Sequence, residues 1–144
     1  MSEDQSVVLL QRAREDEYAA RALLPLDGVA DAIVGFHCQQ AVEKALKAIL
    51  LGERDEVPYT HDVDGLLEEC RARGLDVPQE LRGAERLTLY AVQMRYDANP
   101  GGSLDREQAL RWADVAVEWA SGLERARDPK DPWRSRSEPD RADR

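Results

Sequence analysis

Residues 36–51 read FHCQQAVEKALKAILL. Val34, Cys38, Ala41, Ala45 and Ala48 fall on one stripe of a helix, and Val42, Leu46, Ile49 and Leu50 extend it. Small apolar residues at this spacing predict a buried helix that lets a neighbour approach closely. A second stripe is polar: His37, Gln40, Lys44 and Lys47 recur at i, i+3, i+7 and i+10. Gln39 and Glu43 stand beside it. Glu43 and Lys47 are spaced for an i, i+4 ion pair, worth only ~0.3–0.5 kcal/mol if solvated. Three roles are open for these residues. They form a solvated face, a partly buried polar network, or a chemical site around His37. A network must be complete, because an unpaired buried amide costs ~1–3 kcal/mol. A metal site lacks a second His or a Cys pair at ligand spacing. Neither a metal nor a cofactor is expected. Catalysis at His37 is disfavoured, since no carboxylate in the segment converges on it.

Helical periodicity continues on both sides, with no strand-like alternation. The first helix is expected over residues 4–24, with Leu10, Ala13, Ala20 and Leu24 inward, and Pro25 and Gly28 break it. The second spans 29–51 and stops at Gly52. The third begins at a Thr60 or Asp62 cap and ends at Gly74, presenting Val63, Leu66, Leu67 and Cys70 on one face. The fourth starts at Pro78 and runs to residue 96, with Leu81, Ala84, Leu87, Ala91 and Met94 as its stripe. The fifth covers 104–127, capped by Ser103 or Asp105, with Leu110, Ala113, Val117, Ala120 and Leu123 inward. Trp112, Ala116 and Trp119 widen that face. Short connections between such helices predict an all-α, up-and-down bundle of four to five helices over residues 1–127. Residues 128–144 read DPKDPWRSRSEPDRADR; three prolines and mixed charge predict a disordered tail.

Composition narrows the function classes. The 144-residue chain has one domain's length and a net charge of −9. Acids and bases balance in the tail, so the bundle carries that charge. An acidic chain gains little from releasing counterions on phosphates, which disfavours non-specific nucleic-acid binding. No apolar run approaches the ~18–20 residues of a membrane span. The start, MSEDQSVVLL, lacks a basic region before a long apolar run, so no signal peptide is expected. Cys38 and Cys70 read as free buried thiols, which suits a reducing cytoplasm. Arginine outnumbers lysine 17 to 3, yet two of the three lysines, Lys44 and Lys47, lie in the opening stretch.

FHCQQAVEKALKAILL resembles the signature of HEPN domains, whose usual form is an aromatic, then QQA-x-EK-x-x-KA and a leucine-rich end. THDVDGLL at 60–67 looks like the family's Thr-His-Asp helix start. LYAVQMRYD at 89–97 is similar to its Tyr and Arg-Tyr element. The ordered set spans roughly residues 5–125. The resemblance implies a HEPN-like bundle, commonly a homodimer, encoded in many cases beside a minimal nucleotidyltransferase with which it forms a complex. It also implies a nucleotide as a ligand to be tested. Gln39, Gln40, Glu43, Lys44, Lys47, Tyr90, Arg95 and Tyr96 are the candidates for nucleotide or partner binding. Part of the second helix, or the Trp112/Trp119 face, is the expected dimer interface.

Some members of the family are RNA-cleaving toxins with a late Arg-x4–6-His motif. There the His acts as acid or base on the ribose hydroxyl and the Arg stabilises phosphate charge. Here the late arginine is Arg95, and the positions for the His hold Pro100, Gly101 and Gly102. No His follows His61. Arg54 and His61 match the spacing formally, but in the loop before the third helix. Among 17 arginines such a chance match is unsurprising. The reading favoured by the sequence is a non-catalytic HEPN protein, partner or substrate/nucleotide-binding subunit of a nucleotidyltransferase in a toxin–antitoxin or defence-like pair. The alternative is a HEPN ribonuclease toxin using Arg54 and His61.

Overall fold

The second helix is the axis of the molecule. In the computed structural model, which describes residues 2–53, 60, 62–93 and 104–127, α2 spans Asp31–Glu53. Val34, Cys38, Ala41, Ala45 and Ala48 are all buried along it, as the small-residue stripe predicts. Every other helix packs against it: α1 (Ser2–Leu23), α3 (Val63–Ala72), α4 (Leu89–Gln93) and α5 (Arg106–Arg127). No strand occurs among the described residues.

Cross-helix bonds fix the directions. Ser6 near the start of α1 donates to the Ala48 carbonyl near the end of α2, at 2.9 Å. Arg14 and Arg21 of α1 reach Ser121 and Asp114 of α5 at 2.8 and 2.5 Å. α1 is therefore antiparallel to both α2 and α5, and these two run the same way. The chain returns from the end of α2 to the start of α5 through α3, the 3₁₀ segments and α4. The fold is an all-helical bundle, as expected.

α3 follows the sequence reading closely. Asp62 caps it by accepting from the Asp64 amide, and Thr60 accepts from the Asp62 amide. Val63, Leu66, Leu67 and Cys70 are buried. Gly74, at φ 81°, ends it: its amide donates to the Arg71 carbonyl and that of Leu75 to the Cys70 carbonyl.

Two expectations are corrected. Gly52 does not stop α2, which continues through it to Glu53. A Cβ there would meet only the far, flexible end of the Arg127 side chain, and the helix simply runs on past the glycine to Glu53. The fourth helix is not continuous either. Residues Gln79–Leu81 and Ala84–Thr88 form 3₁₀ turns, and among its described residues only Leu89–Gln93 is α-helical. Gly83 at φ 93° breaks the ladder, and its missing Cβ leaves room for Trp112, whose Cζ2 would lie 3.1 Å from one. Leu81, Ala84, Leu87 and Tyr90 are buried in sequence. Within the Ala84–Thr88 segment, the spacing of three between Ala84 and Leu87 fits the three residues per turn of a 3₁₀ helix. Residues 94–96 of the expected helix, Met94 among them, lie outside the described residues, as does the 128–144 tail.

α5 starts at Arg106, with Asp105 accepting from the Gln108 amide at 3.0 Å. Ala109, Leu110, Ala113, Ala116, Val117 and Ala120 are buried. The width of this face is used within the chain: Trp112 is 5% exposed, with Arg86 5.6 Å above its ring. Trp119 is half-buried against the core.

Candidate functional site

The polar residues of α2 form a connected network. Gln40 Nε2 donates to Gln39 Oε1 at 2.6 Å, and Gln39 Nε2 donates to Glu43 Oε1 at 2.7 Å. Lys47 Nζ donates to the other oxygen of Glu43 at 3.0 Å. Gln39 is fully buried and Glu43 is 5% exposed. One helix thus supplies both ends of the chain of bonds, because i, i+4 places Gln39, Glu43 and Lys47 on neighbouring turns. Low local polarity strengthens each bond and makes each member costly to leave unpaired. Among the described residues, no buried side-chain nitrogen or oxygen is left without a partner.

The other half of the stripe is completed from α1. Asp16 Oδ1 lies 3.0 Å from His37 Nδ1, and its Oδ2 accepts from Lys44 Nζ at 2.6 Å. Asp16 is 14% exposed at its side chain, against 27% for His37 and 25% for Lys44. A proton on Nδ1 directed at Asp16 leaves Nε2 as an acceptor. Phe36 meets the same ring edge-on, with centroids 5.5 Å apart. The sequence reading found no carboxylate for His37, because spacing along one segment does not pair it with another. Asp16 is the residue it missed.

Charge balances within this stripe. Two carboxylates, Asp16 and Glu43, face two ammonium groups, Lys44 and Lys47. The lysines are committed inside the fold and present no uncompensated positive pair to a phosphate.

Tyr90 is 6% exposed. Its ring lies on Gly35 of α2, where a Cβ would stand 2.7 Å from Cγ and Cδ1. Burial raises the Tyr90 hydroxyl above its usual pKa. Its ring is engaged in packing against α2. Arg54, His61, Arg95 and Tyr96 lie outside the described residues.

Two further polar features carry no signal in the sequence. Arg106 of α5 donates to Asp31 at 2.7 Å and to the carbonyls of Leu24 and Leu26 at 3.0 and 3.2 Å, and also reaches that of Val29. Its hydrogen bond holds the Asp31 carboxyl below its usual pKa. Between α1 and α5, burial pushes the Glu17 carboxyl up to about 8, helped by a hydrogen bond and repulsion from Asp114. Arg21 partly offsets this from 4.0 Å. Cys38 and Cys70 are buried free thiols, pushed up to about 12 and 11 by desolvation. Among the described residues, no group of three or more His, Cys, Asp and Glu is placed to hold a metal, and no helix is long and apolar enough to cross a membrane.

An acidic helical bundle, centred on one helix with an internally neutralised polar stripe, is the class that fold and site define. The HEPN domain model matches residues 6–123, which is most of the chain. The chain belongs to the HEPN family. It is similar to the crystal structure of TT1696 from Thermus thermophilus, at 31% identity and a TM-score of 0.62, covering 83% of this chain and 96% of that one. No curated protein matches it.

Proposed function

We propose that this chain is a non-catalytic HEPN subunit that associates, as a cytoplasmic homodimer, with a separate nucleotidyltransferase and presents a surface to that enzyme or its nucleotide. The observation that carries this reading is the neutralised stripe. Asp16 and Glu43 consume the charge of Lys44 and Lys47 within hydrogen-bonding distance. Lysines neutralised inside the fold leave this stripe without the uncompensated cations on which affinity for a polyanion rests, which argues against a nucleic-acid substrate here. The sequence adds Pro100, Gly101 and Gly102 where a ribonuclease of this family carries its histidine.

Co-expression with a minimal nucleotidyltransferase, chosen from the gene's own neighbourhood if one is encoded there, followed by size-exclusion chromatography with light scattering, tests the proposal. A co-eluting complex containing two copies of this chain is expected. A clean monomer that ignores the nucleotidyltransferase refutes it. The same cells, monitored for growth and total RNA, test the ribonuclease alternative. RNA cleavage abolished by His61→Ala overturns the non-catalytic reading. Calorimetry with ATP and other nucleotides reports whether this subunit itself holds the nucleotide.

A further inference from the structure

The two faces expected to meet a second copy are largely occupied within the chain. Trp112 is buried and Trp119 half-buried against the core, and the outward stripe of α2 is tied up in the Asp16–Lys44 and Glu43–Lys47 pairs. The outer face of α1 is not. Val8, Gln11, Glu15, Tyr18 and Ala22 follow one another at spacings of three and four, and all five are exposed. That is the spacing of a helix–helix seam, here on the side of α1 opposite its buried Leu10, Ala13 and Ala20. Three of the six exposed large apolar side chains among the described residues lie on or beside it: Tyr18 at 77% exposure, Val8 at 49% and Val7 at 48%. A shallow depression lined by Val7, Val8, Gln11, Arg12 and Glu15 opens on the same face.

We propose that, in the homodimer read above, on which this inference rests, the α1 seam packs against the α1 seam of a second copy, antiparallel about a two-fold axis at the level of Ala13. The side chains select this direction. A parallel pair in register sets Glu15 against Glu15. Reversal about residue 13 sets Val8 beside Tyr18 and Gln11 beside Glu15, each twice, so one patch complements itself. The Gln11 amide then donates to the Glu15 carboxylate of the second copy, and Arg12 reaches the same carboxylate from the next position. Arg12 and Glu15 have no hydrogen bond or ion pair to another described residue, so both are available for this exchange. Two copies that each carry a net charge of −9 repel, and they meet best on a face where acid and base cancel, as Arg12 and Glu15 do here. The Tyr18 ring supplies the apolar anchor, covering the open valines of the second copy. A single helix pair buries less than the ~1,600 Å² of a standard interface, so the expected dimer is weak, in the micromolar range.

Sedimentation equilibrium of the full chain at low salt tests this, with circular dichroism to check that each variant keeps its helices. Arg12→Glu or Glu15→Arg alone sets like charges against one another and should weaken the dimer at least ~10-fold. The two substitutions in one chain restore the alternation and should recover most of the affinity. Tyr18→Asp should leave a monomer. Direction is read by mixing Val8→Cys copies with Tyr18→Cys copies, the native Cys38 and Cys70 being buried. A short thiol cross-linker should join the mixture but neither variant alone, because positions 8 and 18 stand ~15 Å apart along a helix. A dimer indifferent to Tyr18→Asp and to both charge reversals, or cross-linking of the separate variants in place of the mixture, overturns this interface and leaves the homodimer standing. A monomer at several hundred micromolar overturns the homodimer and the interface together.

Discussion

Replacing Arg106 by Ala should produce a large loss of stability from one partly exposed surface residue. The side chain is 18% exposed and its guanidinium bonds Asp31 and the carbonyls of Leu24, Leu26 and Val29. A partly buried charge-assisted pair contributes ~1–2 kcal/mol and each carbonyl bond ~0.5–1 kcal/mol. Water reaches some of the vacated acceptors, so the net loss should be about 3 kcal/mol. For a bundle of this size that corresponds to a Tm drop of roughly 10–15 °C. Urea denaturation followed by circular dichroism measures it. Arg106→Lys should recover less than half, because a single ammonium does not span acceptors on both sides of a turn. The pH dependence has a definite sign. Arg106 lowers the Asp31 pKa below its ordinary 3.8, so the pair stabilises above that value and the contribution is lost as pH falls through the lower folded value. The gap between the unaltered chain and Arg106→Ala should be constant near neutrality and narrow below about pH 4 by the Asp31 share alone, the carbonyl bonds persisting. A loss under about 1 kcal/mol, or a Lys variant as stable as Arg, refutes the account.

Three other outcomes follow from the geometry. Gly35→Ala places a methyl 2.7 Å from the base of the buried Tyr90 ring, so overpacking of ~1–3 kcal/mol should outweigh the ~1 kcal/mol gain in helix propensity; chemical denaturation should show net destabilisation, relieved in a Tyr90→Leu background. Glu17 has a raised folded pKa of about 8, so its contribution is complete below the ordinary carboxylate range and is lost as pH rises toward that value. Glu17→Gln should therefore match the unaltered chain near pH 5 and exceed it in thermal midpoint above pH 8, and an identical pH profile for the two would count against the pair. The two thiols should resist a disulfide reagent at neutral pH in the native state and both react in denaturant, since burial withholds the thiolate at Cys38 and Cys70.

The sequence was most informative where a single segment determines its own environment. The α2 stripes, the Val63/Leu66/Leu67/Cys70 face and the Asp62 cap all depend on residues a few positions apart. The break in the fourth helix was not legible in spacing, since Ala84 and Leu87 fit a period of three or of 3.6, and only the left-handed φ of Gly83 stops the ladder there. Gly52 misled because a glycine near a helix end does not fix the residue at which the helix stops, and α2 runs on to Glu53. Asp16 and Arg106 were invisible for a related reason. Their partners lie on other helices, 21 and 75 residues away for His37 and Asp31, and nothing in local spacing encodes that pairing.

The Arg106 contacts also bear on how the chain is made. The carbonyls that end α1 and the turn into α2 receive their side-chain donor from a residue 82 positions beyond Leu24. During synthesis the α1–α2 hairpin is complete in sequence long before that donor exists. Until α5 arrives, the turn is held by backbone bonds alone, and the small-residue face of α2 is uncovered where α5 will lie. A nascent bundle of this kind therefore has the side-chain fastening of its α1–α2 turn added last, and a ribosome paused before residue 106 would hold a hairpin without that clasp.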